Sequence, residues 1–282
     1  MSQENPNPNP NPNPNPNKYE GMVFYLQTIK TSIFKQLIEA LKDMLQDVNI
    51  SCTANGLKII SLDVTETIVV RLKLNNRIGE YYCKSGFTLG VNMLLFNTII
   101  KSLNNTDILT LCVNDKDQDN LIIKIENKDK QRESVYNMRL FDVKDEIEKI
   151  PDIEFPSVMT MPSSDFQRLC RDMAEFSKLL EIKNVDNVLK LSGKGFLCDQ
   201  TTTIYQVTNS KEEGMKYLIN NEPDEIIHGY FCLKHLILFN KCTSLNKNVK
   251  IHLKNDCPLI VSYDIGEFGD LCLCLAPKVP ED

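Results

Sequence analysis

From Met22 onward, apolar residues recur along the chain with two different periods. In many short segments every second residue is apolar, which is typical of strands with one buried face. In four longer segments apolar residues recur every three or four positions, which is the spacing of one helix face. Because strands outnumber helices, the pattern predicts an α+β fold. Helices are expected at Ser32 to Leu45, Asn92 to Leu103, Ser163 to Ser177 and Phe231 to Cys242. Strands are expected at Leu57 to Asp63, Ile68 to Leu74, Ile108 to Val113, Leu121 to Glu126, Tyr136 to Phe141, Val188 to Ser192, Thr202 to Val207, Val249 to Leu253, Leu259 to Tyr263 and Leu271 to Leu275.

The order of these elements indicates an internal duplication. The passage FNTIIKSLNNTDILTL, from Phe96 to Leu111, can be laid over LILFNKCTSLNKNVKIHL, from Leu236 to Leu253, with an offset of about 140 residues. Each passage has a helix with a late lysine, then a Ser-Leu-Asn turn, then an alternating strand. The sequence therefore predicts two similar domains in one chain.

Two low-periodicity segments mark the expected domain boundaries. Residues 1–21 contain an Asn-Pro repeat, in which proline removes backbone donors and asparagine has nothing to bury, so we expect a disordered tail. A flexible tether is favoured for this tail over a docking motif. The stretch KDEIEKIPDIEFP, residues 144–156, mixes charges with two prolines and reads as an exposed connector. The domains are then expected at residues 22–143 and 157–282.

Composition limits the class of protein. The chain has 282 residues of which 42% are apolar, enough for the cores of two domains of ordinary size. Its ten cysteines form no CxxC pair and no Cys/His cluster at zinc spacing, so we expect buried free thiols in a reducing compartment. No apolar run approaches the ~18 residues of a membrane span, and there is no signal-peptide pattern. We expect an intracellular protein with no membrane partner.

Positive charge is concentrated on the predicted helices, although the net charge of the chain is −6. Lys35 and Lys42 are seven residues apart and share a helix face, and Lys234 and Lys241 repeat that spacing. Taken singly, each of these lysines is more often a solvated surface charge. They indicate a nucleic-acid interface only if all the helices present their charges to one surface.

Catalytic and metal-binding patterns are absent from the sequence. His228, His235 and His252 are scattered, and neither GxGxxG nor GxxxxGK[ST] occurs. The acidic run NDKDQD, residues 114–119, lacks EF-hand spacing and its glycine, so a polar hairpin loop is the better interpretation. We therefore expect no enzyme, no cofactor and no metal.

Six motifs, in a fixed order, resemble the proliferating cell nuclear antigen (PCNA) family of DNA sliding clamps. The resemblance runs from about Met22 to Pro280, nearly the whole chain except the Asn-Pro tail. The motifs are SIFKQLIEALKDM (Ser32–Met44), NGLKIISLD (Asn55–Asp63), YYCKSGFTLGVNM (Tyr81–Met93), MRLFD (Met138–Asp142) followed by the acidic connector, MPSSDFQRLCRDM (Met161–Met173) and LCLAPKV (Leu273–Val279).

The resemblance implies two similar domains per chain, each with two helices packed on antiparallel sheets, and three chains closing head to tail into a ring. It also implies that helices line the hole and contact DNA phosphates without reading sequence. The matching basic positions are Lys35, Lys42, Lys101, Arg168, Arg171, Lys234 and Lys241.

Partners of this family dock a short hydrophobic motif, the PIP box, in a pocket beneath the connector. The matching positions are Leu62, Glu66, Val69, Ile147, Ile150, Pro258, Leu273, Ala276 and Pro277. Three positions depart from the family: Glu66 stands where histidine is frequent, Thr67 where an aliphatic is found and Cys274 where tyrosine is found. We expect a roomier and more acidic pocket.

The subunit contact of the family pairs an edge strand of one domain with an edge strand of the neighbouring chain's other domain, which here implies Val135–Phe141 and Thr202–Thr208. The expected apolar anchors are Tyr136, Met173 and Phe176. The implied function is a homotrimeric, non-enzymatic polymerase processivity factor that a clamp loader places on double-stranded DNA. A subunit of a heterotrimeric checkpoint clamp and an interaction module without DNA are the alternatives. The implied location is the nucleus, or a cytoplasmic replication site for a viral protein.

Overall fold

The two halves of the chain repeat one order of elements. The computed structural model describes residues 16–144, 154–185, 188–206, 218–220 and 226–279. The first half contains β1 (Met22–Thr28), α1 (Thr31–Leu41), β2 (Asp47–Thr53), β3 (Gly56–Leu62), β4 (Ile68–Asn75), β5 (Glu80–Cys83), β6 (Phe87–Asn92), α2 (Met93–Ile100), β7 (Ile108–Asn114), β8 (Asp117–Asn127) and β9 (Arg132–Arg139). The second half contains β10 (Ser157–Pro162), α3 (Ser163–Ala174), β11 (Leu179–Val185), β12 (Val188–Lys194), β13 (Asp199–Tyr205), β14 (Leu218–Asn220), β15 (Ile227–Cys232), α4 (Leu233–Phe239), β16 (Asn248–Leu253), β17 (Leu259–Asp264) and β18 (Gly269–Leu275). The α+β class predicted from the sequence is confirmed.

Each half contributes one five-stranded and one four-stranded unit. The first half forms a sheet in the order β5-β1-β7-β8-β9, and the second half forms a four-stranded sheet in the order β13-β12-β11-β15. The remaining strands form one nine-stranded sheet, β14-β10-β16-β17-β18-β4-β3-β2-β6. This large sheet is the five-stranded unit of the second half joined to the four-stranded unit of the first.

The junction between the halves is the antiparallel pairing of β18 with β4. The pairing runs from Gly269 opposite Leu74 to Leu275 opposite Ile68, without a register shift. Arg71 Nη2 adds an ion pair with Asp270 Oδ2 at 2.9 Å across the same strands. Main-chain hydrogen bonds therefore continue from one half of the molecule into the other.

The helices form a layer that packs on the sheets. Helix α1 packs on α2, α3 packs on α4, and α1 also contacts a 3₁₀ helix, Asn240–Leu245, that continues α4. Phe34 of α1, Phe96 of α2 and Phe166 of α3 are buried in the core between this layer and the sheets. At the start of α2, Asn92 Oδ1 accepts a hydrogen bond from the Leu95 amide at 3.0 Å, which satisfies an unpaired donor of the first turn.

The sequence predicted all four helices but missed eight strands, namely β1, β2, β5, β6, β10, β11, β14 and β15. Strand β1, with the sequence MVFYLQT, shows the reason. Four consecutive residues, 23–26, are buried, so the alternation that reveals a half-exposed strand is lost. The helices also end earlier than predicted, since α1 stops at Leu41 and α4 gives way to a 3₁₀ helix after Phe239.

Residues 16–20 differ from the predicted disordered tail, because they dock on the outer strands of the first sheet. Residues 16–19 form a 3₁₀ helix and Tyr19 is only 4% exposed. Its ring stacks on Tyr82 at 4.6 Å between centroids and lies 5.4 Å from Tyr25. The Tyr19 hydroxyl donates to Glu80 Oε1 at 2.5 Å, and these contacts cover edge strand β5.

Replacing Tyr19 with alanine should lower the free energy of unfolding by about 3 kcal/mol, because a buried aromatic ring leaves a cavity. Tyr19→Phe keeps the ring and removes only the hydrogen bond to Glu80, so it should cost about 1 kcal/mol. Urea denaturation followed by circular dichroism measures both values. An unchanged midpoint for Tyr19→Ala would contradict the docking of this segment.

Candidate DNA and partner interfaces

All seven predicted DNA-binding residues lie on the helical layer, away from the helix faces that pack on the sheets. Five are exposed, and Lys35 and Lys42 are half-buried. The exposed five are Lys101, Arg168, Arg171, Lys234 and Lys241. The structure therefore brings the basic residues of four separate helical segments onto one layer, which the sequence pattern alone left open.

Acidic neighbours already contact several of these basic groups. Arg168 Nη2 lies 3.3 Å from Asp165 Oδ1, and Arg171 Nε lies 3.6 Å from Asp172 Oδ1. Lys35 instead donates to the carbonyl oxygen of Leu103 at 3.1 Å. Such exposed ion pairs are weak, so they moderate the positive charge of the layer without holding the basic groups firmly.

Asp43 is the acidic residue of the layer that holds two lysines. Its Oδ1 lies 3.1 Å from Lys42 Nζ and its Oδ2 lies 2.5 Å from Lys241 Nζ, which belongs to the other half of the chain. Partial burial alone would raise the pKa of Asp43, but hydrogen bonds from Lys241 and Lys42 lower it below the usual value. The Asp43 carboxylate therefore stays charged and ties the two halves together within the helical layer.

The sequence analysis counted charges and missed apolar side chains on the same layer. Leu94 and Leu95 at the start of α2 are 64% and 51% exposed, and Ile237 of α4 is 37% exposed. An amphipathic pattern places such residues on the buried face, yet α2 is so apolar that some face outward. The surface of the layer is thus mixed and not uniformly basic.

Strand pairing brings two of the predicted partner-binding residues, Leu62 and Val69, together. Val69 lies opposite Leu62 on one side and opposite Cys274 on the other, and Cys274 lies opposite Ile260. Directly opposed residues share one face of a sheet. Leu62, Val69 and Ile260 are half-buried, so this face carries a partly exposed apolar strip.

Other predicted partner-binding residues lie in the core, at the surface or outside the described residues. Leu273 is fully buried, because it is adjacent to Cys274 in the strand and so faces the core; its place in the apolar strip is taken by Ile260, which the sequence analysis did not name. Pro258 and Pro277 are exposed close to the strip, and the Ala276 amide donates to the Thr67 carbonyl oxygen at 3.1 Å. The connector residues Ile147 and Ile150 lie outside the described residues.

The turn between β3 and β4 places Glu66 at the rim of the strip. Asp63 Oδ1 accepts hydrogen bonds from the amides of Thr67 and Ile68 at 2.8 and 2.7 Å. Burial would raise the pKa of Asp63, but bonds from Thr65, Ile68 and Thr67 lower it, so the turn is held by a carboxylate. Glu66 is exposed and has a positive φ of 55° at the tip of this turn.

The predicted subunit anchors divide between surface and core. Tyr136 on β9 is 36% exposed, and Phe176 is half-buried against the core. Met173 is fully buried and presents no surface to another chain, because α3 turns this side chain toward the sheets. Strands β9 and β13 each end a sheet, and among the described residues nothing pairs with their outer edges.

The described part of the chain contains no metal-ligand cluster, no helix that could span a membrane and no disulfide bond. No group of three or more His, Cys, Asp or Glu residues is placed there to hold a metal ion. None of the described helices is long and apolar enough to cross a membrane. The ten cysteines are all free, and burial raises the pKa of the Cys170 and Cys242 thiols to about 12.

Comparison with known proteins gives one consistent result. The family model for the N-terminal domain of proliferating cell nuclear antigen matches residues 23–149, and that for the C-terminal domain matches residues 149–278. A proliferating cell nuclear antigen from Chaetomium thermophilum is 32% identical over 254 residues, covering 90% of this chain and 97% of the relative. Proteins of this family are scaffolds without catalytic activity. The chain therefore belongs to the proliferating cell nuclear antigen family of DNA sliding clamps.

Proposed function

We propose that three copies of this chain close head to tail into a ring around duplex DNA and hold polymerase on it. The observation that carries the proposal is the β18–β4 junction. Its two strands have counterparts in the other halves, since β9 takes the place of β18 and β13 takes the place of β4. Both counterparts end a sheet, so a β9–β13 contact between chains would repeat the internal junction and leave no open edge there.

Exposed apolar side chains beside both edges support this contact. Val135 and Tyr136 of β9 are 51% and 36% exposed, and Phe196 and Leu197, just before β13, are 101% and 91% exposed. Adjacent apolar residues at such exposure mark surfaces that another protein covers. A second copy of the chain offers the complementary edge.

The register of the proposed contact follows from the internal one. On β18, Leu273 pairs with Val261 of β17. The equivalent pair in the first half is Tyr136 of β9 with Ile123 of β8, so Leu273 corresponds to Tyr136. Cys272 therefore corresponds to Val135.

The same comparison gives the expected register of the partner strand. Leu72 of β4 pairs with Ile59 of β3, and Thr202 of β13 pairs with Leu191 of β12. Arg71 therefore corresponds to Thr201. Because Cys272 lies opposite Arg71 at the junction, Val135 of one chain is expected opposite Thr201 of the next.

Cysteines placed at Val135 and Thr201 should form disulfide bonds between chains under mild oxidation, since opposed residues of antiparallel strands have Cα atoms about 4.5–5.5 Å apart. Denaturing electrophoresis without reductant should show dimers and trimers. The matched control is Val135→Cys with Thr202→Cys, because a shift of one residue turns the second side chain to the opposite face. Cross-linking in the control but not in the first pair would contradict the register, and each single variant measures the background from native thiols.

The helical layer would then line the hole of the ring. Its lysines and arginines contact phosphates, which position a protein without reading bases, so the ring can slide. The rest of the chain is acidic, so this attraction is confined to the lumen. The ring stays on DNA because it encircles the duplex.

Lys234→Ala should speed the loss of loaded protein from linear DNA and reduce the salt dependence of binding, because this exposed lysine has no ion pair among the described residues. Retention on nicked circular DNA, before and after linearisation, measures the effect and tests encirclement directly. Lys128→Ala removes the same charge from an exposed turn outside the helical layer and serves as the control. Equal effects of the two variants would contradict the lumen assignment, and equal retention on circular and linear DNA would contradict the ring.

The apolar strip of Leu62, Val69 and Ile260 is the proposed docking site for PIP-type motifs of polymerase and other replication proteins. A short motif binds mainly through a few apolar anchors, and this strip has room for them where Cys274 replaces a larger ring. Glu66 at the rim favours motifs with basic flanks. The same family assignment supports loading by a clamp loader and a nuclear location.

Leu62→Ala should weaken binding of a PIP-type peptide by about 1–3 kcal/mol through lost apolar contact. Glu66→Ala should mainly flatten the salt dependence, because a rim charge acts through screened Coulomb attraction. Fluorescence-anisotropy titrations at two salt concentrations measure both. Unchanged affinity in Leu62→Ala would place the docking site elsewhere.

The checkpoint-clamp alternative is less favoured. The family models that match are those of the replication clamp.

A further inference from the structure

An ion pair crosses the boundary between the two halves within the helical layer. Lys241 Nζ, just after α4, lies 2.5 Å from Asp43 Oδ2, just after α1. The two side chains retain 44% and 28% of their exposure. This pair lies in the helical layer and accompanies the β18–β4 junction of the nine-stranded sheet.

Both members of the pair have charged counterparts at the same positions of the other half. Asp43 lies twelve residues after the start of α1 at Thr31, and Glu175 lies twelve residues after the start of α3 at Ser163. The burial pattern supports this correspondence, since Phe34 and Leu41 in α1 and Phe166 and Met173 in α3 are buried at matching positions.

Lys241 has the same kind of counterpart. It lies eight residues after the start of α4 at Leu233, and Lys101 lies eight residues after the start of α2 at Met93. Lys101 and Glu175 are both exposed, and neither has an ion pair or a side-chain hydrogen bond among the described residues. Their charges have the same arrangement as in the internal pair: the acidic residue follows the first helix of its half, and the lysine follows the second helix of its half.

Glu175 and Lys101 also belong to the two units whose edges are open. Glu175 precedes Phe176, whose carbonyl oxygen lies against Gly195 in the connection between β12 and β13. Lys101 follows α2 and leads into β7, in the sheet that ends with β9. A β9–β13 contact that repeats the internal junction would bring these two side chains to the same boundary.

We infer that Glu175 of one chain forms an ion pair with Lys101 of the next chain, on the lumen side of the subunit boundary. The inference rests on the ring proposed above and adds a role for two side chains. Lys101 then stabilises the contact between chains and contributes less to phosphate binding. Glu175 is an acidic residue that the sequence analysis did not single out.

This pair is the main charged contact that the internal junction predicts between chains. The other internal ion pair, Arg71 with Asp270, corresponds to Thr201 and Glu133, which have no opposite charges. The ring contact therefore depends on Glu175 and Lys101 for its electrostatic part. Salt should weaken the trimer through this pair, because exposed charges are screened.

The test is the trimer dissociation constant of the full chain without DNA, measured by sedimentation velocity at low and moderate salt. Glu175→Gln should raise the dissociation of each contact by about 2–5-fold, as for other exposed pairs. A closed trimer has three such contacts, so the overall constant should rise by about 10–100-fold. Glu175→Lys and Lys101→Glu should each weaken the trimer further, and the double swap should restore it toward the original value.

Glu39→Gln provides the matched control, since it removes one exposed carboxylate from α1, which lies one turn before Asp43 beside the internal junction and not at the proposed boundary between chains. Its trimer constant should equal that of the unmodified chain. A trimer that is insensitive to Glu175→Lys, or a double swap that is as weak as the single variants, would overturn the ion pair and leave the ring intact. A monomeric unmodified chain at micromolar concentration would overturn the ring itself.

Discussion

The antiparallel pairing of β18 with β4 is the interaction on which the rest of the architecture depends. Because the pairing is made by main-chain groups, the two halves of the chain share one nine-stranded sheet and hold a fixed relative orientation. Around it, Arg71 contacts both Asp270 and the Cys272 sulfur. Burial raises the pKa of the Cys274 thiol to about 11, so that the thiol remains neutral at the junction.

Main-chain pairing also explains how a duplicated chain can build equivalent contacts from different side chains. Val135 and Thr201 share no chemistry with Cys272 and Arg71, yet both pairs of strands offer the same row of donors and acceptors. The side chains then tune each boundary separately. Inside the chain two ion pairs accompany the junction, whereas the proposed boundary between chains would have only the combination of Lys101 with Glu175.

The helical layer carries positive charge that neighbouring acidic and apolar side chains moderate. Acidic residues such as Asp165 and Asp172 beside Arg168 and Arg171 moderate the positive charge, and exposed leucines on α2 dilute it. Contacts of this kind exchange readily, which suits a protein that must move along DNA. In the proposed ring, retention on DNA would depend on ring closure, and closure would depend on the outer edges of β9 and β13 and not on the basic residues.

Local pattern was enough to determine the α+β class, the four helices, the duplication and the face on which Lys35 and Lys42 lie. These features depend on the spacing of neighbours in the chain, and helix geometry converts that spacing directly into a surface. Tertiary structure alone decided the burial of Tyr19, Met173 and Leu273, because burial depends on which distant elements cover a residue. It also decided the contact between Asp43 and Lys241, which are 198 residues apart and meet only because β18 pairs with β4.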